Sequence, residues 1–195
     1  EAQIRLMEHL HNHSGKRSML VLRPADSEET VAAWKMAMEE TRPVALILSR
    51  QNIKSLPAIT GESRRTEAMK AERGGYVVLE NKDAKVTLIA TGSEVSTLVE
   101  GAEILASEGI ATRVVSIPSE GLFRDQPKEY QAEVLGTLPR YGMTSGLSVN
   151  LRGLVGENGF IHAFDHFGYS APFKVLDEKF GYNGKTVAEE VKAML

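Results

Sequence analysis

The sequence predicts an α/β fold assembled from β-α-β units, and two stretches carry that prediction. Residues 86–90 (VTLIA) form an apolar run of strand length in which only Thr87 is polar. A run without polar alternation suits a strand buried on both faces, as in a parallel sheet. Val95, Leu98, Val99, Ala102 and Leu105 follow at helical spacing, Gly109 is placed to end that helix, and a second apolar run covers residues 112–117. The crossover joining two such strands is expected to be right-handed. The same order occurs upstream: a brief run at residues 19–22, a helical segment, then the continuous run 44–48 (VALIL).

Taken in order, residues 1–10 read as the end of a helix, with Ile4, Leu6, Met7 and Leu10 apolar. His9, His11 and His13 alternate, which would put three ligands on one side of a strand; Asn12, Ser14 and Gly15 between and after them make a solvated turn the better reading than a metal site. Pro24 ends the first strand because it has no N–H to donate. Asp26 or Ser27 is placed to cap the next helix, with Glu28 and Glu29 favoured in its first turn by the helix dipole. Val31, Trp34, Ala37 and Met38 form the stripe expected to face the core, and Thr41, Arg42 and Pro43 stop the helix.

Residues 54–73 show little periodicity and read as an exposed connection with a helical turn near 66–71. Gly74 and Gly75 open a short edge strand at 76–80, and a polar turn follows at 81–85. Thr91 and Glu94 have the spacing of a capping box, and Ser93 is a second possible cap. Residues 120–123 read as one helical turn, and Pro127 opens a helix over 128–135. Residues 143–149 are ambiguous between strand and turn, because Gly142 and Gly146 interrupt them. Residues 160–164 read as a strand, 173–180 as a helix, and Val187, Val191 and Leu195 as the stripe of a last helix.

Composition narrows the function classes. The net charge of −3 gives no reason to expect nucleic acid or an anionic membrane as partner. No apolar run reaches membrane-spanning length. With no cysteine, disulfide and thiolate chemistry are excluded, which fits a reducing compartment. A length of 195 residues allows one domain or one and a half, and the start at Glu1, without Met or a signal-peptide pattern, reads as a piece of something longer.

Two places carry chemistry. Ser49, Arg50, Gln51 and Asn52 sit at the carboxyl end of a strand, where open α/β sheets bind ligands. From the residues alone, two roles fit Arg50 equally: a bidentate donor to phosphate, or half of a surface ion pair. His162, Asp165 and His166 lie close in sequence, a set suited to proton transfer or a metal. If residues 160–164 are a strand, His162 shares a face with Phe160 and Phe164, which favours a core or interface histidine. There is no Gly-rich phosphate loop, zinc motif or nucleophile elbow.

Several segments together resemble the transketolase family. They are Arg23-Pro24-Ala25-Asp26, then residues 45–52 (ALILSRQN), then Gly74-Gly75-Tyr76-Val77 followed by residues 89–95 (IATGSEV), and last residues 167–172 (FGYSAP) with Lys179-Phe180-Gly181-Tyr182 behind them. The resemblance runs along almost the whole chain. It implies that residues 1–55 are the tail of the family's pyrimidine-binding domain, 56–73 a linker, and 74–195 the C-terminal domain, a mixed, mostly parallel five-stranded sheet flanked by helices. It implies a ketol transferase of the pentose phosphate pathway, dependent on thiamine diphosphate and a divalent cation (magnesium or calcium). In that family the arginine of the SRQN-like motif holds the substrate phosphate, a role that carries to Arg50. No catalytic, cofactor-binding or metal-binding residue carries over. The diphosphate- and metal-binding domain, the glutamate that activates the cofactor ring and the family's substrate-contacting histidines precede this segment, and His9, His11 and His13 do not match those histidines' motif.

The resemblance therefore implies a chain that is inactive and cofactor-free alone, partnered by the N-terminal portion of the enzyme, homodimeric, cytoplasmic and acting on sugar phosphates. Met143-Thr144-Ser145-Gly146 departs from the acidic Val-Glu-Ala-Gly-like segment frequent in the family. Related readings keep the fold and change the role: deoxyxylulose-phosphate synthase, a 2-oxo-acid dehydrogenase β subunit, or a non-catalytic assembly module.

Overall fold

The computed structural model describes residues 2–59 and 61–195. It contains two sheets. A parallel pair is formed by β1 (Leu20–Leu22) and β2 (Val44–Leu46), joined through α2 (Ser27–Glu39) and preceded by α1 (Ala2–His9). A five-stranded sheet is built from β3 (Tyr76–Glu80), β4 (Val86–Ala90), β5 (Thr112–Ser116), β6 (Arg140–Met143) and β7 (Phe160–His162) in the order β3-β5-β4-β6-β7. β3 is antiparallel to β5 at one edge; every other pairing is parallel. This is the mixed, mostly parallel sheet that the family resemblance implies. The helices around it are α4 (Glu94–Ser107), α5 (Glu120–Arg124), α6 (Lys128–Leu135), α7 (Val149–Val155), α8 (Phe173–Phe180) and α9 (Gly184–Met194).

The two-faced burial of β4 is visible in where its side chains go. Val86, Leu88 and Ala90 enter one core, with Leu98, Leu105, Val187 and Val191 of α4 and α9. Ile89 enters the other, with Phe123, Leu135, Leu151 and Leu154. Val114 and Val115 of β5 divide in the same way. Each such side chain, taken wholly from water, contributes about 1.5–3 kcal/mol before chain entropy is set against it. α9 lies very close to α4: a Cβ on Gly101 would stand 2.5 Å from Val187 Cγ1, so that contact requires glycine.

Several expectations are corrected. The stripe Val31, Trp34 and Met38 faces outward, at 46%, 52% and 83% exposure; α2 buries Glu29, Ala32, Ala33 and Met36 instead. Ala33 and Met36 pack with Leu20 and Leu22, Ala32 enters the core of the larger sheet, and the carboxylate of Glu29 is drawn inward by its partners, described below. The run 44–48 is a strand only to Leu46 and is half-buried, because β2 pairs with β1 alone among the described residues. Leu195 is exposed, and the stripe of α9 runs from Val187 and Val191 to Met194 instead. The connection 54–73 is not simply exposed: it carries α3 (Arg64–Ala68) and a 3₁₀ turn (Met69–Arg73), and buries Leu56, Glu67, Ala68 and Ala71. The ambiguous stretch 143–149 is mostly turn: Met143 ends the strand β6, residues 144–148 turn the chain, and Val149 begins α7. Gly142 is not an interruption but the point where α7 approaches the sheet, since a Cβ there would meet Val155 Cγ2 at 2.6 Å. β7 ends at His162 rather than residue 164.

Candidate functional site

The carboxyl ends of β1, β2, β4 and β6 converge on one groove of about 1010 Å³. Leu48 to Lys54 form one wall, leaving β2; Ser93, Glu94 and Ser145, after β4 and β6, form its floor; Tyr169, Phe173, Lys174 and Phe180 form the far wall. Arg50 stands in this groove, exposed, with no hydrogen bond or ion pair among the described residues. Of the two roles open to it, the surface ion pair is not made among the described residues. Its neighbour Lys54 is held by Glu100.

The floor holds a constellation that sequence reasoning missed. Arg23, at the carboxyl end of β1, donates from Nη1 to the Thr91 carbonyl at 2.7 Å and from Nη2 to Ser145 Oγ at 3.1 Å. It also pairs with Glu94 through both amino groups, at 2.7 and 3.0 Å. Glu94 in turn accepts from the Ser145 N–H at 3.1 Å. The expected capping box is consequently not formed. Glu94 turns to Arg23, Thr91 Oγ1 meets Arg5 at 3.3 Å, and Ser93 begins α4 with no side-chain cap. The Cβ position of Gly92 lies 2.7–2.8 Å from the Arg23 side chain, and its φ is +64°, so both the turn and the close approach call for glycine there. The signal was present: Arg23 and Glu94 each stand just past a strand run.

A second buried cluster joins the two sheets. Asp26 caps α2 by accepting from the Glu29 N–H at 2.8 Å, and also accepts from the Leu56 N–H at 3.0 Å and Arg64 Nε at 2.7 Å. Glu29 accepts from the Ala25 N–H at 2.8 Å, the Tyr76 hydroxyl at 2.6 Å and Arg64 Nη2 at 3.3 Å. Burial raises the Glu29 carboxyl above its ordinary range, against the pull of these donors.

The histidines separate. His9 Nδ1 lies 3.3 Å from Arg17 Nη1, and His11 sits in a short antiparallel bridge to Arg17. Arg17 itself is held by Asp125 through two contacts of 2.7 Å. Asp165 accepts from the Ser148 N–H at 3.0 Å, and the exposed His166 ring packs on Phe164. His162 is half-buried, with Nδ1 3.0 Å from Glu190 and Nε2 2.9 Å from the Phe180 carbonyl. Tyr141 donates to the same Glu190 at 2.7 Å. Two acceptors on one ring are both satisfied only by the imidazolium. Burial opposes that charge; the hydrogen bond and charge of Glu190, with the Phe180 carbonyl, outweigh it and hold the His162 pKa above its ordinary value.

His162 thus stabilises the fold fully below its unfolded pKa, about 6.5, and that contribution is lost as the pH rises through the higher folded value. Urea midpoints of the wild type and His162→Gln should therefore draw together as the pH is raised from below about 6.5 through the higher folded value. A gap that stays constant across that window would contradict the imidazolium assignment.

Among the described residues no three His, Asp or Glu side chains are grouped to hold a metal ion. Among the described residues no helix is long and apolar enough to cross a membrane.

A groove at the carboxyl ends of parallel strands is where open α/β sheets bind ligands. Comparison with known proteins gives the family. The model of the transketolase-like C-terminal domain matches residues 74–183, and that of the transketolase pyrimidine-binding domain matches residues 1–55. The chain belongs to the transketolase family. It is 40% identical over 194 residues to the transketolase of Geobacillus stearothermophilus, a match that covers 97% of this chain and 28% of that protein. The transketolase structure from Leishmania mexicana superposes with a TM-score of 0.82 at 31% identity, over 99% of this chain and 26% of that one. A split-gene transketolase described as an inactive β4 tetramer superposes with a TM-score of 0.70 at 27% identity, over 98% of this chain and 60% of that one. The chain thus spans little more than a quarter of the curated relative's length.

Proposed function

We propose that this chain is the C-terminal part of a thiamine diphosphate-dependent transketolase, which moves a two-carbon ketol unit between sugar phosphates in the pentose phosphate pathway. Its own contribution is Arg50, which holds the substrate phosphate. The observation that carries this reading is the placement of Arg50: a guanidinium with no partner among the described residues, in a groove of about 1010 Å³ at strand carboxyl ends. Phosphate is a bidentate acceptor for such a group.

The division into residues 1–55, 56–73 and 74–195 is supported by the separate two-stranded and five-stranded sheets with the α3 segment between them. The family implies thiamine diphosphate and a divalent cation. This reading assigns both to the part of the longer relatives that lies outside the matched segment. The outward Val31, Trp34 and Met38 face of α2 supports a close partner, which we take to be that N-terminal portion within a homodimer. The cytoplasm is the matching compartment.

Alone, the chain should transfer no ketol unit, as the description of the split-gene relative as inactive encourages. The test is reconstitution. The purified chain should give no turnover of xylulose 5-phosphate with ribose 5-phosphate above a no-protein blank, and turnover should appear when the N-terminal portion, thiamine diphosphate and magnesium are added. Turnover by the chain alone would overturn the division of labour; no turnover from the reconstituted mixture would overturn the assignment.

A further inference from the structure

We infer that the buried Arg23–Glu94 pair is a positioning device for Arg50, through which the C-terminal domain sets affinity for the phosphorylated end of the substrate. The inference rests on the reading of Arg50 given above. Its first ground is connectivity. Arg23 directly follows Leu22, and the Leu22 carbonyl accepts from the Ile47 N–H at 2.8 Å, the last rung before the chain leaves β2 toward Arg50. Whatever fixes Arg23 fixes the strand end from which the Arg50 loop departs.

Its second ground is the way Arg23 is fixed. The backbone N–H donates to the Pro118 carbonyl after β5 at 2.8 Å, and the side chain is tied to the turn after β4 and to Ser145 after β6. Three strand ends of the five-stranded sheet therefore hold one strand end of the small sheet. Arg23, Glu94, Ser145 and Arg50 all line the same groove, so the clamp and the loop it supports share one space.

The third ground is energetic. A buried ion pair is a weak source of stability, since apolar residues of similar volume often do as well or better. What such a pair supplies is a fixed geometry. An exposed arginine loses side-chain freedom when it binds a phosphate, and the remaining cost falls if the backbone beneath it is already held. Glu94 and Arg23 touch no reacting atom in this account; they act through Arg50.

The experiment uses the reconstituted, cofactor-loaded enzyme and compares ribose 5-phosphate with the unphosphorylated acceptor glycolaldehyde. Glu94→Gln keeps the shape and removes the charge. It should raise KM for ribose 5-phosphate about tenfold, part of a charge-assisted contact, while KM for glycolaldehyde and kcat on either acceptor move far less. Ser145→Ala, which leaves the ion pair in place and threatens folding least, should show the same selectivity at smaller amplitude. In the background of Arg50→Ala, Glu94→Gln should add nothing to the ribose 5-phosphate KM, because interacting residues are not additive.

A selective loss in Arg50→Ala, with equal losses on both acceptors or none in Glu94→Gln and Ser145→Ala, overturns the positioning role and leaves the Arg50 reading standing. Additive losses in the double variant also overturn it. If Arg50→Ala itself is unselective, the Arg50 reading fails and the positioning role falls with it.

Discussion

Replacing Arg64 by alanine will lower the stability of the chain by about 3–5 kcal/mol, the cost of stranding buried charges whose partner is gone. Arg64 comes from the segment between the two sheets. It donates to Asp26 at 2.7 and 3.2 Å and to Glu29 at 3.3 Å, and both of those side chains are fully buried. Its guanidinium also lies 5.7 Å from the centroid of the Tyr76 ring. Without it, Asp26 keeps the Glu29 and Leu56 N–H groups and Glu29 keeps the Ala25 N–H and the Tyr76 hydroxyl. Two carboxylates within one buried cluster would then share no cation. Lysine should rescue poorly, since it cannot present the fork that spans both acids.

The same cluster sets the pH dependence of that loss. Burial already raises the Glu29 carboxyl in the folded chain. A carboxyl whose folded pKa lies above its unfolded value contributes most below the unfolded value and less as the pH rises through the folded one. Removing Arg64 raises the folded value further, so the deficit of the variant should grow from mildly acid to neutral pH. Urea unfolding of both proteins at the two pH values measures this. A loss below about 1 kcal/mol, the size of an exposed ion pair, would show that the cluster is solvated and that the account of it is wrong.

What could be read from the sequence, and what could not, divides along a physical line. β4, α4 and β5 were legible because burial on both faces leaves an unbroken apolar run and helical burial leaves a period. The cap at Asp26 was legible because it acts over three residues. α2 was misread because its large apolar residues face outward and its inner face is built from alanine, methionine and a carboxylate. β6 was missed because a glycine that admits a neighbouring helix looks, in sequence, the same as a glycine that ends a strand.

The site was legible in the same partial way. The position of Arg50 followed from the strand before it. The clamp did not, since Arg23 and Glu94 are separated by 71 positions and the local capping signal at Thr91 and Glu94 pointed elsewhere. The partners of His162 were not legible, since the acid that charges it stands 28 residues away on α9. Local chemistry could be read from spacing; charges that meet across the fold could not.

The claim at the centre of this account is that Arg50 contacts substrate phosphate. Phosphate is the non-reacting end of the sugar, held in ground and transition state alike, so its loss should act mainly on KM. Removing a charge-assisted contact costs about 1.5–3 kcal/mol, or roughly ten- to a hundredfold in affinity. Arg50 supports no other group among the described residues, so the fold of Arg50→Ala should be unaffected. The decisive measurement is the KM of Arg50→Ala in the reconstituted enzyme for ribose 5-phosphate and for glycolaldehyde. A rise of roughly ten- to a hundredfold for the phosphorylated acceptor, with little change for the other, is the result expected; an equal change for both would mean that Arg50 does not bind phosphate.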